Sequence, residues 1–534
     1  MTQVKTIRKT YPGYSLSTYP KRKKNSHNRL MEIGATVYIP TQTICLDSLS
    51  AELLNIIFKQ LRAIDSRTLA DARRLSRRLE TIITPIHYET IQLSEHIIDP
   101  LAETYFPGYF GNIYSFTRHV EARSNLDAKD TKRVLDRVQR LSTLRWRYVE
   151  NQSLTGSAFP FSAPSDILSP YHINVNKTKI YVEDLPLEDS YSDLYSTYTQ
   201  YIPASNLISL KMQSPALTRT IDSLKRFLVQ AQCTQNLNYN GRGQGTSFEF
   251  NGNERLPPFK IISLQSYDWN HSADEVQRHW NFSRIEHLTL IDVPLFKFFT
   301  SVPIAELNNL RTLHCEDFTT HTLYQRENVT RILHVLIGRI EALQKIKITC
   351  NTELFPIDSL FCHASSLEAL SFQDYTGFSD ETRRYPTMRV EDLTQLSHAL
   401  VNLDYLELGM DATTCDPGQF LEALCNFPRL HTLNLNTQTV WRAHHTVRNS
   451  EDLDYNAAVA MLEALIRDKR GSPWRHITIN VGGWKPVMVR RLGAAWRDKN
   501  IQGIYAERCF HMDRDEVTGE YVFREEKGKD NTSI

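Results

Sequence analysis

His444 and His445, which follow Trp441 and Arg442, are the residues that most suggest a metal ligand pair or an aromatic cage. Adjacent side chains diverge in both helix and strand, so the pair does not converge on one ligand. Gly241-Arg242-Gly243-Gln244-Gly245 has the backbone freedom of a phosphate cradle, but no Lys-Ser/Thr follows it and no strand-to-helix context frames it. The cysteines (Cys45, Cys233, Cys315, Cys350, Cys362, Cys415, Cys425, Cys509) are scattered, with no C-x-x-C pair and no His/Cys cluster. That spacing speaks against a disulfide framework and a structural zinc site. Several of them sit inside apolar strand patterns, where a thiol packs as a small hydrophobe, and none stands in a recognisable acid/base setting. No G-x-S-x-G, H-E-x-x-H or Walker sequence occurs, and the carboxylates are dispersed. The expectation is a chain without catalytic residues, cofactor or metal, with an enzyme hidden among the repeats as the outlying alternative.

The frame that would hold any site is ordinary in composition: 534 residues, 41% hydrophobic, 23% charged, net charge +1. Nothing in that balance points to nucleic acid or membrane. The first residues lack the apolar run of a secretory signal, and no stretch approaches the roughly 20 apolar residues of a membrane span, so a cytoplasmic or nuclear protein is expected. The Asn-x-Ser/Thr sequons at Asn151, Asn176, Asn281, Asn328 and Asn531 would matter only in a secreted chain. Residues 1–45 read as a disordered basic tail; their first thirty positions hold Lys and Arg but no Asp or Glu. Within the tail, Lys21, Arg22, Lys23 and Lys24 form either a nuclear-import patch or part of a solvated tail.

The texture changes at residues 46–93. Leu53, Leu54, Ile57 and Leu61 fall on one stripe of an amphipathic helix, with Ser48 or Ser50 to cap it and Glu52 at the positive end of its dipole. A second run, Leu69, Ala72, Leu75, Leu79 and Ile82, starts at Asp65 or Ser66 and stops at Pro85, which predicts a helical hairpin of about 45 residues. Ile56 and Phe58 lie beside the main stripe, so the first helix is apolar on more than one face. Such a surplus marks either a partner site or docking onto the next domain. Arg62, Arg67, Arg73, Arg74, Arg77 and Arg78 suit a solvated face or an acidic partner. No aromatic-interleaved basic motif accompanies them to suggest nucleic acid.

The run Leu49-Ser50-Ala51-Glu52-Leu53-Leu54-Asn55-Ile56-Ile57-Phe58-Lys59-Gln60-Leu61, followed by Asp65, Leu75-Ser76-Arg77 and Thr84-Pro85-Ile86-His87-Tyr88, resembles the F-box in the style of fungal members. It departs from the family pattern at Ser50, where proline is usual. The resemblance implies binding to the Skp-type adaptor of a cullin-based ubiquitin ligase. It places Leu49, Leu53, Leu54, Ile57, Phe58, Leu61 and Leu75 in the family's apolar contact positions.

Behind this module a strand pattern recurs: apolar, two residues, apolar, one residue, apolar. Copies begin at Leu141, Leu207, Ile261, Ile285, Leu310, Leu343, Leu367, Leu403, Leu430 and Trp474, the later ones up to Leu430 being 24 to 36 residues apart. Helical patterns lie between them, as at Val390 to Leu400, Phe420 to Phe427 and Ala457 to Ile466. The spacing overlaps the leucine-rich repeat with longer insertions, in a degenerate form whose usual asparagine is mostly missing, Asn434 and Asn436 being nearest to it. One such repeat cannot bury its own apolar face; stacked repeats pair their strands in parallel and share one core. Residues 151–204 and 234–258 read as long surface loops.

The expected fold class is therefore α/β: a small all-helical F-box module at 46–93, a linker at 94–114, a degenerate leucine-rich-repeat solenoid with parallel strands at 115–510, and a polar tail at 511–534. The expected function is the substrate-recognition subunit of a Skp/cullin/F-box ligase, with adaptor and cullin scaffold as partners and an unnamed protein substrate on the repeats. A scaffold that delivers nothing for ubiquitination is the alternative.

Overall fold

A computed structural model describes residues 5–7, 46–149, 162–185, 194–212, 221–243, 245–316, 323–374, 387–411, 414–437, 453–481 and 508–527. Lys21, Arg22, Lys23 and Lys24, Cys45, and the run from Trp441 to His445 lie outside the described residues.

The helical module has three helices where a hairpin was expected: α1 (Ala51–Ile64), α2 (Ser66–Ala72) and α3 (Arg77–Tyr88). Each begins on a side-chain cap. Ser50 accepts from Leu53 N at 3.4 Å, Asp65 from Arg67 N at 2.9 Å and Thr68 N at 3.1 Å, and Ser76 from Leu79 N at 3.1 Å. Ser76 divides what looked like one periodic run. Pro85 does not stop the last helix, which runs through it at the loss of one helical amide donor.

Residues 94–114 are not a linker. They fold as α4 (Glu95–Ile98), α5 (Pro100–Tyr105) and α6 (Pro107–Phe116), with a proline in the first turn of the latter two, where its missing N–H costs nothing. Ile98, Phe110 and Ile113 are buried in the main core.

One sheet contains β1 (Lys5–Ile7), β2 (Thr90–Gln92), β3 (His119–Arg123), β4 (Thr143–Arg147), β5 (Lys179–Leu185), β6 (Leu207–Met212), β7 (Asn236–Gly243), β8 (Ile261–Tyr267) and β9 (His287–Ile291). It continues with β10 (Thr312–Glu316), β11 (Lys345–Cys350), β12 (Ala369–Asp374), β13 (Tyr405–Gly409), β14 (Thr432–Thr437), β15 (His476–Val481), β16 (Arg508–Arg514) and β17 (Tyr521–Lys527). From β2 to β15 each strand pairs in parallel with the next in sequence. The last three pairings, β15 with β16, β16 with β17 and β17 with β1, are antiparallel. The architecture is mixed α/β with a long, mostly parallel sheet in sequential order, compatible with an α/β solenoid.

All ten motif copies are strands, but one has a shifted register. Ile261 points away from the core, while Ile262 and Leu264 point in, so that copy starts at Phe259. The array begins at Thr90, not at 115. The expected loop 151–204 carries β5 and the helix Leu194–Tyr201, the expected loop 234–258 carries β7, and the supposed tail from 511 completes β16 and forms β17. Helices lie near their expected bounds at Val390–Ala399, Pro417–Cys425 and Leu453–Asp468.

Inward side chains of the strands and the buried faces of the helices make one core running from Tyr88 to Phe523. Each fully buried Leu or Phe contributes about 1.5–3 kcal/mol relative to exposure. Over most of the array, register is held by the residue just before a strand, whose carbonyl accepts two successive amides of the next repeat. Lys260 O accepts from Glu286 N at 2.8 Å and His287 N at 3.1 Å, and Glu286, Arg311, Gln344, Glu368, Asp404 and His431 repeat the arrangement. Gly471 lies in the turn before β15 with φ +76, and a Cβ there would meet Pro428 O at 2.4 Å, so only glycine fits.

Candidate partner-binding surfaces

The module's own core consists of Leu54, Phe58, Leu69, Leu79, Ile83 and Ile86, with Leu49, Leu61, Ala72 and Ile82 packed against it and partly buried. Arg62 ties the module to the array: Nη1 donates to Ile86 O at 2.9 Å and Glu89 Oε2 at 2.8 Å, and Nη2 to Thr90 Oγ1 at 2.5 Å. Arg78 Nη2 donates to Leu49 O at 2.7 Å and fixes the segment before α1.

The seven apolar positions singled out in the sequence separate into two sets. Leu54 and Phe58 are inside, Phe58 at 1% exposure, and Leu49 and Leu61 are half-inside. Leu53, Ile57 and Leu75 are outside, Leu75 at 73%. Phe58 therefore faces the module's interior, contrary to the expectation that it lies off the buried stripe. The reason is its spacing: Phe58 stands four residues after Leu54, and those two, not Leu53 and Ile57, carry the inward line of α1. Leu46, Ile56 and Ile64 add to the exposed apolar surface. Ile64 and Leu46 were not singled out, because their types alone do not tell which side of a short helix end they face.

A second surface is the face of the sheet turned away from the helices. At β3 to β5 it is an exposed ladder of ion pairs: Arg145 with Glu121 at 3.3 Å and Glu183 at 3.6 Å, and Arg147 with Glu183 at 2.7 Å. Exposed pairs of this kind contribute at most about 1 kcal/mol each. At β10 and β11, Glu316 receives His314 Nε2 at 2.8 Å and pairs with Lys347. Burial alone would raise its pKa, but those two donors outweigh it and hold the carboxyl down at about 2.

From β12 onward the same face becomes a continuous, largely buried hydrogen-bond network. Glu407 accepts from Ser371 Oγ at 2.8 Å, Tyr405 OH at 3.1 Å, Asn436 Nδ2 at 3.1 Å and Gln373 Nε2 at 3.3 Å. Burial, with the Glu407 carboxylate beside it, holds the Tyr405 hydroxyl well above the usual tyrosine range. Asn480 Nδ2 donates to Asn434 Oδ1 and Asn436 Oδ1, both at 2.9 Å, and receives Cys509 Sγ at 3.0 Å on its own Oδ1. Cys509 Sγ also lies 3.1 Å from His511 Nε2. The two asparagines noted in the sequence are thus in place, though as cross-strand links rather than at a turn. Cys315, Cys350 and Cys425 are buried as expected of small hydrophobes, and burial pushes the thiols of Cys350 and Cys425 up.

Gly241 sits where β7 passes β8 so closely that a Cβ would lie 2.6 Å from Ser266 O, which makes it a packing glycine. Among the described residues no group of His, Cys, Asp and Glu is placed to hold a metal ion, and no helix is long and apolar enough to cross a membrane. No protein-family model matches the chain, and no curated protein matches it.

Proposed function

We propose that the chain is the substrate receptor of a Skp/cullin/F-box ubiquitin ligase: the helical module is an F-box that binds the Skp-type adaptor, and the array is a degenerate leucine-rich-repeat solenoid that binds a protein substrate. The observation that carries this reading is that a unit with its own closed core leaves Leu53, Ile57 and Leu75 in solvent beside Leu46, Ile56 and Ile64. A small module gains nothing from apolar side chains held in water, whereas a partner that covers them gains their burial. The receptor then acts by proximity, raising the effective concentration of substrate lysines near a charged conjugating enzyme on another subunit.

The test is capture of the Skp-type adaptor by wild type and by Leu53→Asp, Ile57→Asp and Leu75→Asp. Each substitution should leave the fold intact and reduce capture at least tenfold. Absence of capture by wild type refutes the ligase reading, and equal capture by all four proteins refutes this surface. Partners that accumulate only when the proteasome is inhibited identify substrates, whereas a fixed set favours the scaffold.

A further inference from the structure

The parallel array ends in an antiparallel hairpin whose last strand, β17, would present an open edge. An unpaired edge strand offers a row of free N–H and C=O groups that another strand can join. In this chain the edge is covered, but only in part. β17 spans seven residues and β1 three, with Lys5 opposite Phe523, Thr6 opposite Val522 and Ile7 opposite Tyr521. The part covered is the apolar one, Tyr521-Val522-Phe523, and the part beyond it is Arg524-Glu525-Glu526-Lys527, the kind of charged run that discourages strand addition. Tyr521 and Phe523 turn their rings into the core, where Phe523 stacks on Phe510 at 6.0 Å and meets Tyr455 edge-on at 5.4 Å. The apolar half of the edge is therefore rigid.

We infer that the outer edge of Tyr521–Phe523 is a strand-addition site, and that Lys5–Ile7 are its resident, displaceable occupant. Three residues of pairing form a short strand, and short isolated pairings are marginal in water. What holds β1 in place is its covalent connection, which makes the pairing intramolecular, though over so long a span its effective concentration lies below the millimolar values of short linkers. The connection has to reach from one end of the sheet to the other, since the helical module adjoins β2. At about 4.8 Å per strand the path from β2 to β17 is on the order of 70 Å. Residues 8–45 can extend to on the order of 120 Å, so pairing within one chain is sterically open. The occupant is thus the chain's own first strand, and an extended peptide in trans must compete with it.

The test is amide hydrogen exchange of the full chain and of the chain lacking residues 1–7. Removal of β1 should speed exchange at least tenfold for those amides of Tyr521–Phe523 that face away from β16. Amides facing β16 should not change, which separates loss of the cap from unfolding of the hairpin. A peptide of residues 1–9, added at millimolar concentration, should restore slow exchange to the shortened chain. The same peptide carrying Lys5→Pro, Thr6→Pro and Ile7→Pro should not. Unchanged exchange at Tyr521–Phe523 after the deletion overturns the inference, and so does equal restoration by both peptides.

Discussion

The helical module of residues 46–88 and the sheet array behind it solve the same problem on different scales. The module closes a core around Leu54, Phe58 and Ile83 and leaves Leu53, Ile57 and Leu75 in water, while the array draws the inward residue of nearly every strand into one core from Tyr88 to Phe523. A three-helix unit has too little volume to bury two faces of the same helix. A stacked array has no such limit, since each new repeat covers the last. Exposed apolar residues therefore arise differently in the two regions: in the module they are left by geometry and can be used by a partner, whereas in the array some are single side chains such as Ile261 and others, Leu101, Tyr105, Phe106 and Tyr109, lie close together along α5 and α6.

The sharpest way to break that comparison is Phe58→Asp. A carboxylate there would be buried among Leu54, Leu69, Leu79, Ile83 and Ile86, and the expected cost is on the order of 3–5 kcal/mol, enough to unfold the module and leave the array folded. Hydrogen exchange should lose protection in Ala51–Tyr88 alone. Leu53→Asp, by contrast, should change stability by no more than about 0.5 kcal/mol in denaturant melts.

Acid should act mainly on the array. His271 lies buried with Nε2 2.7 Å from Tyr267 OH, and burial is the chief reason its pKa is held down at about 4, with Glu275 opposing. The unfolded chain takes up that proton near pH 6.5 and the folded chain refuses it until about pH 4. Stability is therefore full above pH 6.5 and falls between there and pH 4, by about 3 kcal/mol. Melts at pH 7, 5.5 and 4.5 should show a shallower decline for His271→Gln than for wild type.

Gly471→Ala puts a Cβ against Pro428 O in a left-handed turn, and should cost about 2 kcal/mol or more, read as a lower melting temperature. A smaller cost is expected back in the module. Ser76→Ala removes the acceptor for Leu79 N and should cost about 1 kcal/mol, raising exchange in the first turn of α3.

The repeat was legible where leucine, or at Ile285 and Trp474 another large apolar residue, fills its first position. It was not legible where none of these fills that place: Tyr88 before β2, Thr117 before β3, Thr234 before β7 and Phe259 before β8. The threonines are buried, and each hydroxyl bonds back to the previous repeat, Thr117 Oγ1 to Tyr88 O at 2.9 Å and Thr234 Oγ1 to Leu207 O at 3.4 Å. A polar atom thereby takes an apolar position, which a pattern of hydrophobic residues does not register. In the module the helix start signals at Ser50 and Asp65 were readable, but the inward direction of α1 was not. Leu53, Leu54, Ile57 and Phe58 are two apolar pairs one turn apart, and only the packing of α2 and α3 decides which pair is covered. The network around Glu407 was invisible because its members lie on five separate strands.

The row of carbonyls that sets strand register has a consequence for how such a chain can change over evolutionary time. Over most of the array each new repeat is positioned at the start of its strand, by two amides on the carbonyl before the previous one, so nothing beyond the end of the strand is needed to place it. Insertions that follow a strand therefore leave the count intact, and successive motif starts from Leu310 to Trp474 can lie 24 to 44 residues apart without a slip of the sheet. Variation in such a lineage should collect on the edge of the sheet where strands end, and the opposite edge should change slowly.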